Sequence, residues 1–418
     1  MMTTFPDSAN VVRLLVNGKE FGGWKSVRIS AGIERQARDF VLEVTDRWPG
    51  QTEIPRRIRP FDSCQVFIGN DLVLTGWVDG TPIKHDGKSV TVGVKGRSKT
   101  ADLVDCCPIE PGQATKGGGG GSWSDVIGPD GKASKVVMPP AKTASQWRNA
   151  KMETIAAALA APYGVRVIAE VDTGAVIRDH QVQQGETVFE SIDRMMRLRH
   201  VLSTDNERGD LVLIDVGSAG RAGTAIEVGP NGNVLSGDAP LDYKGVFSQY
   251  IVKGQRAGND AEFGRAVSEE RGDVDEDLAA VAGSIETDDA ASASDSRSKR
   301  RRVLVIKQSG HADDGTCADR ALYEKAHRAA KALESTYTVN GWRQQDGSLW
   351  RPNLIVRVRD PIVGFDADMV LAEVSWILDK DGLRSEIRVG PPDGYRTKAG
   401  KLKKSQKGGG PQWSDVKT

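Results

Sequence analysis

Apolar and polar positions alternate with period two through most of the first hundred residues, a rhythm that predicts half-buried β-strands. Val11-Val-Arg-Leu-Leu-Val16 runs into Asn17-Gly18, a pair suited to a tight hairpin because both residues tolerate positive φ. Trp24-Lys-Ser-Val-Arg-Ile-Ser30 and Asp39-Phe-Val-Leu-Glu-Val44 alternate in the same way. Cys64 to Ile68 turns at Gly69-Asn-Asp71 into Leu72 to Val78, and Asp86-Gly87 turns into Ser89 to Lys95. Closely spaced strands with turn signals predict a small antiparallel barrel or sandwich.

The pattern then changes. Residues 108–145 carry Pro108, Pro111, the run Gly117 to Gly121, Pro129, Pro139 and Pro140, and read as a loop-like insertion. Met152 to Ala161 reads as a helix stopped by Pro162-Tyr-Gly164, and Val165 to Val171 as a strand. Glu186 to His200 reads as a second helix, with Val188, Phe189, Ile192, Met195 and Met196 near helical spacing. Val201 to Thr204 and Leu211 to Asp215 flank a polar turn and predict a hairpin. Between Ser268 and Asp295 stand ten acidic residues and one base, Arg271, before Arg297, Lys299, Arg300, Arg301 and Arg302 reverse the sign. Such blocks predict a mobile, solvated segment over 257–302. Order resumes with Val303 to Ile306, a helix over Cys317 to Leu333, and strands at Tyr337 to Asn340, Leu354 to Val358, Met369 to Leu378 and Leu383 to Val389. Asp381-Gly382 is the expected turn between the last two.

Composition narrows the function classes. The chain has 418 residues with 57 basic and 57 acidic side chains, so no global field draws it to nucleic acid or a membrane. No apolar run approaches the ~20 residues that span a bilayer. Met1 to Asp7 lacks the basic start and apolar run of a signal peptide, which predicts synthesis in a cytoplasm. Cys64, Cys106, Cys107 and Cys317 have no CxxC spacing, and Cys106-Cys107 reads as two small, partly buried residues.

One stretch invites a catalytic reading. Gly93-Val-Lys-Gly-Arg-Ser-Lys-Thr100 is a single residue from a phosphate-cradling loop: Gly93, Lys99 and Thr100 are in register, but Ser98 replaces the second glycine. A phosphate loop follows a parallel strand buried on both faces, whereas this strand alternates and leaves an Asp-Gly hairpin. An antiparallel strand turning into a short helix is the expected structure. Asp215, at the end of a hairpin strand, is likewise poorly placed to hold magnesium for an ATPase.

Other chemistry is thin. His85, His180, His200, His311 and His327 form no HExxH motif: His85 abuts a hairpin turn, His180 falls in a polar loop, His200 ends a helix, and His311-Ala-Asp-Asp314 precedes a helix that Asp can cap. No GxSxG elbow is present. Carboxylates are abundant but concentrate in the segment expected to be mobile, whereas a hydrolytic pair needs rigid support. Val182-Gln-Gln-Gly-Glu-Thr-Val188 echoes small peptidoglycan-binding modules, so a tail-associated cell-wall binding or hydrolysing protein is the alternative reading.

From Gly96-Arg-Ser-Lys-Thr-Ala-Asp-Leu-Val-Asp-Cys106 onward the chain resembles the baseplate hub proteins of Mu-like contractile-tailed phages. The likeness runs in order through Gln146-Trp-Arg-Asn149, Ala161-Pro-Tyr-Gly-Val165, Gly185-Glu-Thr-Val188, Tyr250-Ile-Val-Lys-Gly254, Asn340-Gly-Trp-Arg343, Asp346-Gly-Ser-Leu-Trp-Arg-Pro-Asn-Leu354 and Lys380-Asp-Gly-Leu383. It spans roughly residues 10–395 and extends more distantly to late control protein D and the hub part of type VI secretion spike proteins. The resemblance implies a β-rich α+β fold: two small antiparallel β-barrel-like tube domains with an inserted α/β domain and mobile arms. It divides the chain into a first tube-forming domain over 1–106, an insertion over 107–145, an α/β middle domain over 146–238 and a second tube-forming domain from 239–256 and 335–392. A strand-helix connection occupies 303–334 and a basic Gly-rich tail 393–418.

What this implies about function is structural. A homotrimer would adapt the sixfold tail tube to a threefold central spike and let DNA pass without specific binding. Its other partners would be baseplate proteins, with no cofactor, no metal, no catalytic residue and no stable membrane insertion. The expected location is the virion tail baseplate, assembled in the host cytoplasm. Gly-rich sequence precedes Trp123-Ser-Asp-Val126 and again Trp413-Ser-Asp-Val416, so Trp123 and Trp413 are candidate anchors for equivalent pockets. The tail from Tyr395 to Lys407 carries six bases and no acid, which makes Lys401, Lys403 and Lys404 candidates for an acidic partner surface. Chance recurrence and a solvated solubility tail are the competing readings.

Overall fold

The computed structural model describes residues 7–46, 58–85, 90–109, 126–127, 133–134, 136–137, 139, 145–199, 201–255, 284–286, 301–311 and 314–396. The first part is the expected antiparallel β-structure. β1 (Val12–Val16) and β2 (Lys19–Phe21) are joined by Asn17 and Gly18 at φ 49° and 76°, the positive pair that a two-residue hairpin requires. β3 (Ser26–Gly32), β4 (Asp39–Asp46), β5 (Ser63–Ile68), β6 (Asp71–Gly80), β7 (Ile83–His85) and β8 (Val90–Ser98) complete it. β4 and β6 flank β8, both antiparallel. Buried positions alternate along β1 and β5, so one face of each meets the core. The expected turn at Asp86-Gly87 lies outside the described residues.

The second β-region does not stand apart from the first. The long strand Phe365–Asp379 pairs with Ile355–Asp360 over its first half and with β3 over its second, from Gly32 opposite Glu373 to Val27 opposite Leu378. One sheet of 14 strands results, running from Val234–Asp238 through Ser335–Asn340, Gly382–Gly390 and Phe365–Asp379 into β3, and out to β2. A single apolar cluster serves both parts, from Leu14, Ile29, Phe40 and Leu74 to Tyr337, Trp342, Trp350 and Trp376. Asp379 pairs with Gly382, so the hairpin turn is Lys380-Asp381, one residue before the expected pair.

Between them sits a layered α/β unit. α2 (Met152–Ala160) and α3 (Val188–Arg199) cover one face of a four-stranded sheet ordered Val136–Val137, Val167–Ala169, Leu211–Ile214, Leu202–Asp205. Thr187 and Glu190 start α3 with a reciprocal capping box: the Thr187 N–H donates to Glu190 Oε2 at 2.8 Å, and the Glu190 N–H to Thr187 Oγ1 at 3.2 Å. The hairpin 202–214 forms as expected, and Leu211–Ile214 also gains a parallel neighbour in Val167–Ala169. Leu211 and Leu213 face the helices, while Val212 and Ile214 pack with Val370 and Ala372 of the large sheet, with Ile33 just past β3, and with Tyr395. That strand is therefore buried on both faces.

Two strands pair differently from the segments in which the sequence places them. Val234–Asp238, grouped with the middle segment, hydrogen-bonds to Ser335–Asn340 at the end of the large sheet. Gln249–Gln255, grouped with the second β-domain, instead runs parallel to Val303–His311 in a separate three-stranded sheet. Helix Asp314–Lys331 packs on that sheet around Tyr250, Val252 and Ala321. The reason is physical: alternation marks a strand and its buried face, whereas its partner is chosen by packing far away in sequence. Among the described residues no helix is long and apolar enough to cross a membrane.

Candidate assembly surfaces and interdomain latches

The near-phosphate loop is sheet. Gly93 to Ser98 belong to β8, a two-residue turn follows at Lys99-Thr100, and α1 (Ala101–Asp105) begins next. The N–H groups that would cradle phosphate are already used: Gly93 donates to the Pro82 carbonyl at 2.8 Å, Ser98 to that of Arg38 at 2.9 Å, and Lys99 to that of Thr75 at 3.2 Å. Thr100 is buried with its hydroxyl 2.9 Å from Ser98 Oγ. Gly96 is glycine because a Cβ there would stand 2.2 Å from the Trp77 carbonyl oxygen. The residue that breaks the motif, Ser98, also accepts the Arg38 N–H at 3.1 Å and so helps fasten the middle unit.

Arg38 is the centre of that fastening. Its side chain is only 12% exposed, and Asp205, fully enclosed at the end of the middle hairpin, accepts from its backbone N–H at 2.9 Å and its Nε at 3.2 Å. Burial pushes the Asp205 carboxyl above the usual range, against the pull of Arg38. Gln36 adds a two-way pair with Ser203, donating Nε2 to its carbonyl at 3.0 Å while Ser203 Oγ donates to Gln36 Oε1 at 2.8 Å. Thr204 Oγ1 donates to the Gly32 carbonyl at 2.8 Å. At the hairpin tip Arg166 holds Asp210 in a bidentate pair, both contacts 2.7 Å.

Two motifs quoted above for their family likeness form a second set of latches. In Asn340-Gly-Trp-Arg343, Trp342 Nε1 donates to the carbonyls of Arg384 at 3.0 Å and Ile377 at 3.1 Å. Arg343 reaches the other end of the chain: it donates to the Ala9 carbonyl at 2.7 Å and the Ile68 carbonyl at 3.2 Å, and pairs with Asp71 at 2.7 Å. In Asp346 to Leu354, Asn353 adopts a left-handed φ of 67°. Its amide accepts from the Gly217 N–H at 2.6 Å and donates to the Asp215 carbonyl and Ser218 Oγ, each at 3.0 Å. Asn is one of the few side chains that takes this conformation readily, because it bonds locally to backbone.

A charged cluster closes the outer edge of the seam. Arg388 lies 2.6 Å from Glu334, 3.0 Å from Glu34 and 3.1 Å from Glu373, and Lys331 pairs with Glu34 at 2.6 Å. Arg35 bridges Glu373 at 2.7 Å and Asp39. Burial would raise the Glu34 carboxyl, but Lys331 and Arg388 outweigh it and hold the group below its ordinary value. Tyr395 donates its hydroxyl to Glu334 at 2.5 Å.

Catalytic geometry is not built from these groups. His180 lies on strand Ile177–Gln181 rather than in a loop, buried, with Nε2 2.9 Å from Ser191 Oγ. Ser191, on α3, is fully enclosed and His180 is buried against it. Burial and Arg194 lower the His180 pKa. Burial pushes the Cys64 thiol up to about 12 and raises that of Cys106, which leaves both poor nucleophiles. Cys107 is exposed rather than partly buried. Among the described residues no group of three or more His, Cys, Asp or Glu is placed to hold a metal ion. The carboxylates Asp79 and Asp105 are both engaged by Arg97, each at 2.7 Å. In the stretch that echoes peptidoglycan-binding modules, Glu186 accepts from the Gln183 N–H at 2.7 Å and from Arg194 at 2.9 Å, so it too is used internally.

The candidates Trp123, Trp413, Lys401, Lys403 and Lys404 lie outside the described residues, as do His200 and the side chains of His311 and Cys317. The residues that the sequence reading did not single out are Arg38, Asp205, Arg343, Asn353 and the exposed Phe61. For Arg343 and Asn353 a signal was present in the motifs themselves. Arg38 and Asp205 stand 167 positions apart and show none.

Comparison with known proteins matches most of the chain. Three family models fit in order: Mu phage baseplate assembly protein GpP-like, N-terminal, over residues 11–98; baseplate hub protein gp44-like, second domain, over 139–215; and Mu phage baseplate assembly protein GpP, fourth domain, over 314–398. Baseplate hub protein gp44 of Escherichia phage Mu is 30% identical over 406 residues, which cover 96% of this chain and 93% of that protein. Among solved structures, the 43 kDa tail protein of prophage MuSo2 from Shewanella oneidensis aligns with a TM-score of 0.70 at 26% identity, covering 92% of this chain and 99% of that one. The tail protein from Neisseria meningitidis MC58 shares the fold, with a TM-score of 0.67 at 19% identity over 93% and 98% of the two chains.

Proposed function

The chain belongs to the Mu-like phage baseplate hub family, and from that membership we propose that it forms a trimeric ring joining the tail tube to the central spike. It is a structural baseplate hub protein of a phage tail. The finer reading is that each chain contributes two β-regions, so three chains present six tube-like units to a sixfold tube and three equivalent faces to a spike. One observation carries it: the pairing of β3 with Phe365–Asp379, which fuses the two β-regions into one sheet and fixes their mutual orientation. A protein that adapts two symmetries needs that rigidity, because a hinged pair would lose register at one end.

DNA would pass through the ring without being held. Equal numbers of basic and acidic residues support this, since retention on DNA grows with each phosphate neutralised. Assembly would take place in the host cytoplasm, and no catalytic step is assigned. The reading is tested by native mass measurement of the purified chain. A stable trimer is expected; a monomer at concentrations where tails assemble would overturn the ring. Loss of turbidity in a cell-wall suspension would restore the hydrolase alternative.

A further inference from the structure

Arg59-Pro60-Phe61-Asp62 form a tight turn, closed by the Asp62 N–H donating to the Arg59 carbonyl at 3.2 Å. Pro60 occupies its second position and Phe61 the third, with φ at +71°. A Pro-led turn with positive φ at the third position is of type II, and that position favours Gly or Asn because a Cβ crowds the backbone. Phe61 is neither. The conformation is nevertheless firmly held: the Phe61 N–H donates to the Val78 carbonyl at 2.7 Å. The Asp62 carboxylate accepts from the Arg59 N–H and from Asn17 Nδ2, both at 2.8 Å.

This rigid turn presents its least favourable residue to solvent. Phe61 is 88% exposed, the most of any large apolar side chain among the described residues, and Arg59 and Pro60 beside it are also exposed. Ile362 is comparably exposed at 84%, but it does not carry a positive φ. At Phe61 two independent disadvantages therefore coincide, a strained backbone and an unburied ring, and glycine would relieve both. Strain of this kind, over-determined by its surroundings, is characteristic of binding and switch sites. An exposed aromatic next to an exposed arginine is also the composition of interface hot spots.

We propose that Phe61 anchors a docking knob that inserts into an apolar slot on a different protein of the tail, with Arg59 meeting an acidic side chain on the rim of that slot. This rests on the baseplate hub reading, which supplies a neighbouring tail protein as the partner. The turn is preorganised, so docking the ring costs little further ordering.

The test compares phage carrying the wild-type gene, Phe61→Gly, Phe61→Tyr, Arg59→Glu and a deletion of the whole gene, together with the purified full-length proteins. Phe61→Gly is expected to keep or raise Tm, because it removes strain, yet to lower the titre of infectious particles by at least about tenfold. Phe61→Tyr keeps the ring and retains the titre, and Arg59→Glu lowers it. A Phe61→Gly titre within about twofold of wild type overturns the docking knob. So does a lower Tm, which would place the role of the ring inside the chain. A change in oligomeric state of purified Phe61→Gly would show that the slot belongs to a second copy, and that also overturns the proposal. Deletion phage that still build normal tails would overturn the hub reading itself. Deletion phage without tails, beside Phe61→Gly phage at full titre, would overturn the knob alone.

Discussion

The seam between the two β-regions and the fastening of the middle unit hold pieces of the chain together by different means. At the seam, six residues of β3, Val27 to Gly32, face six of Phe365–Asp379 in unbroken antiparallel register, and the joint is a continuation of the sheet ladder. Its side chains mostly fill the shared core, as Ile29 and Trp376 do, and its one buried polar pair is Ser30 with Ser375 at 2.9 Å. The middle unit instead rests on a small apolar patch around Ile33, Val370 and Ala372 and is positioned by particular side chains, Arg38 with Asp205 and Gln36 with Ser203. A backbone ladder tolerates change in the polar side chains along it. A side-chain latch does not, because removing one partner leaves the other buried without compensation.

The comparison can be broken most forcefully at the core of the seam. Trp376→Ala should cost about 4 kcal/mol, since it removes a large enclosed ring on the central strand, and denaturant unfolding of the sheet measures it. At the latch, Asp205→Ala should cost about 3 kcal/mol, at the low end for a broken buried pair because Glu207 remains 3.9 Å from Arg38. Its signature differs: faster hydrogen exchange is expected in the hairpin 202–214 while the seam stays protected. If both regions loosened together, the distinction between ladder and latch would fail.

Acid sharpens the contrast at a third place. Glu34 has a folded pKa held below its ordinary value of 4.5, so the unfolded chain takes up the proton first as pH falls. The stability it contributes is fully present above about pH 4.5 and is lost as pH drops through the lower folded value. Glu34→Gln should therefore lower Tm modestly at neutral pH and flatten the acid limb of a Tm profile. The smallest effect is expected from Glu386→Ala. The Arg28–Glu386 pair crosses the seam at 3.2 Å with both side chains over 40% exposed, and should contribute less than about 1 kcal/mol by thermal unfolding.

The strands of the first region were legible because their burial follows the alternation, as in β1 and β5, where inward and outward positions strictly interchange. Helices α2 and α3 were legible from their stops and spacing. Pairing was not. β3 and Phe365–Asp379 each read as a strand, but nothing local says that residues some 345 apart are neighbours. Val234–Asp238 is exposed at four of five positions, so it lacks the apolar face that would have tied it to a core. The latches show the same limit: Asn340 to Arg343 and Asp346 to Leu354 were conspicuous as motifs, while their targets at Ala9, Ile68 and Asp215 emerge only when the chain is folded. Phe61 was hidden by its neighbourhood, a polar stretch between strands in which a lone aromatic carries no periodic signal.

The seam also sets a timetable for the newborn chain. β3 leaves the ribosome early, paired with β4 on one side, while its other edge must wait for Glu373 to Leu378. At ~5–20 residues per second that wait is roughly 20–70 s, with an unpaired strand edge open to any passing partner. The middle unit is synthesised during the interval, and its contacts with Arg38 and Gln36 in the turn that follows β3 need no later residue, whereas its seat on Val370 and Ala372 does. The latches are thus available before the ladder in the order that synthesis permits.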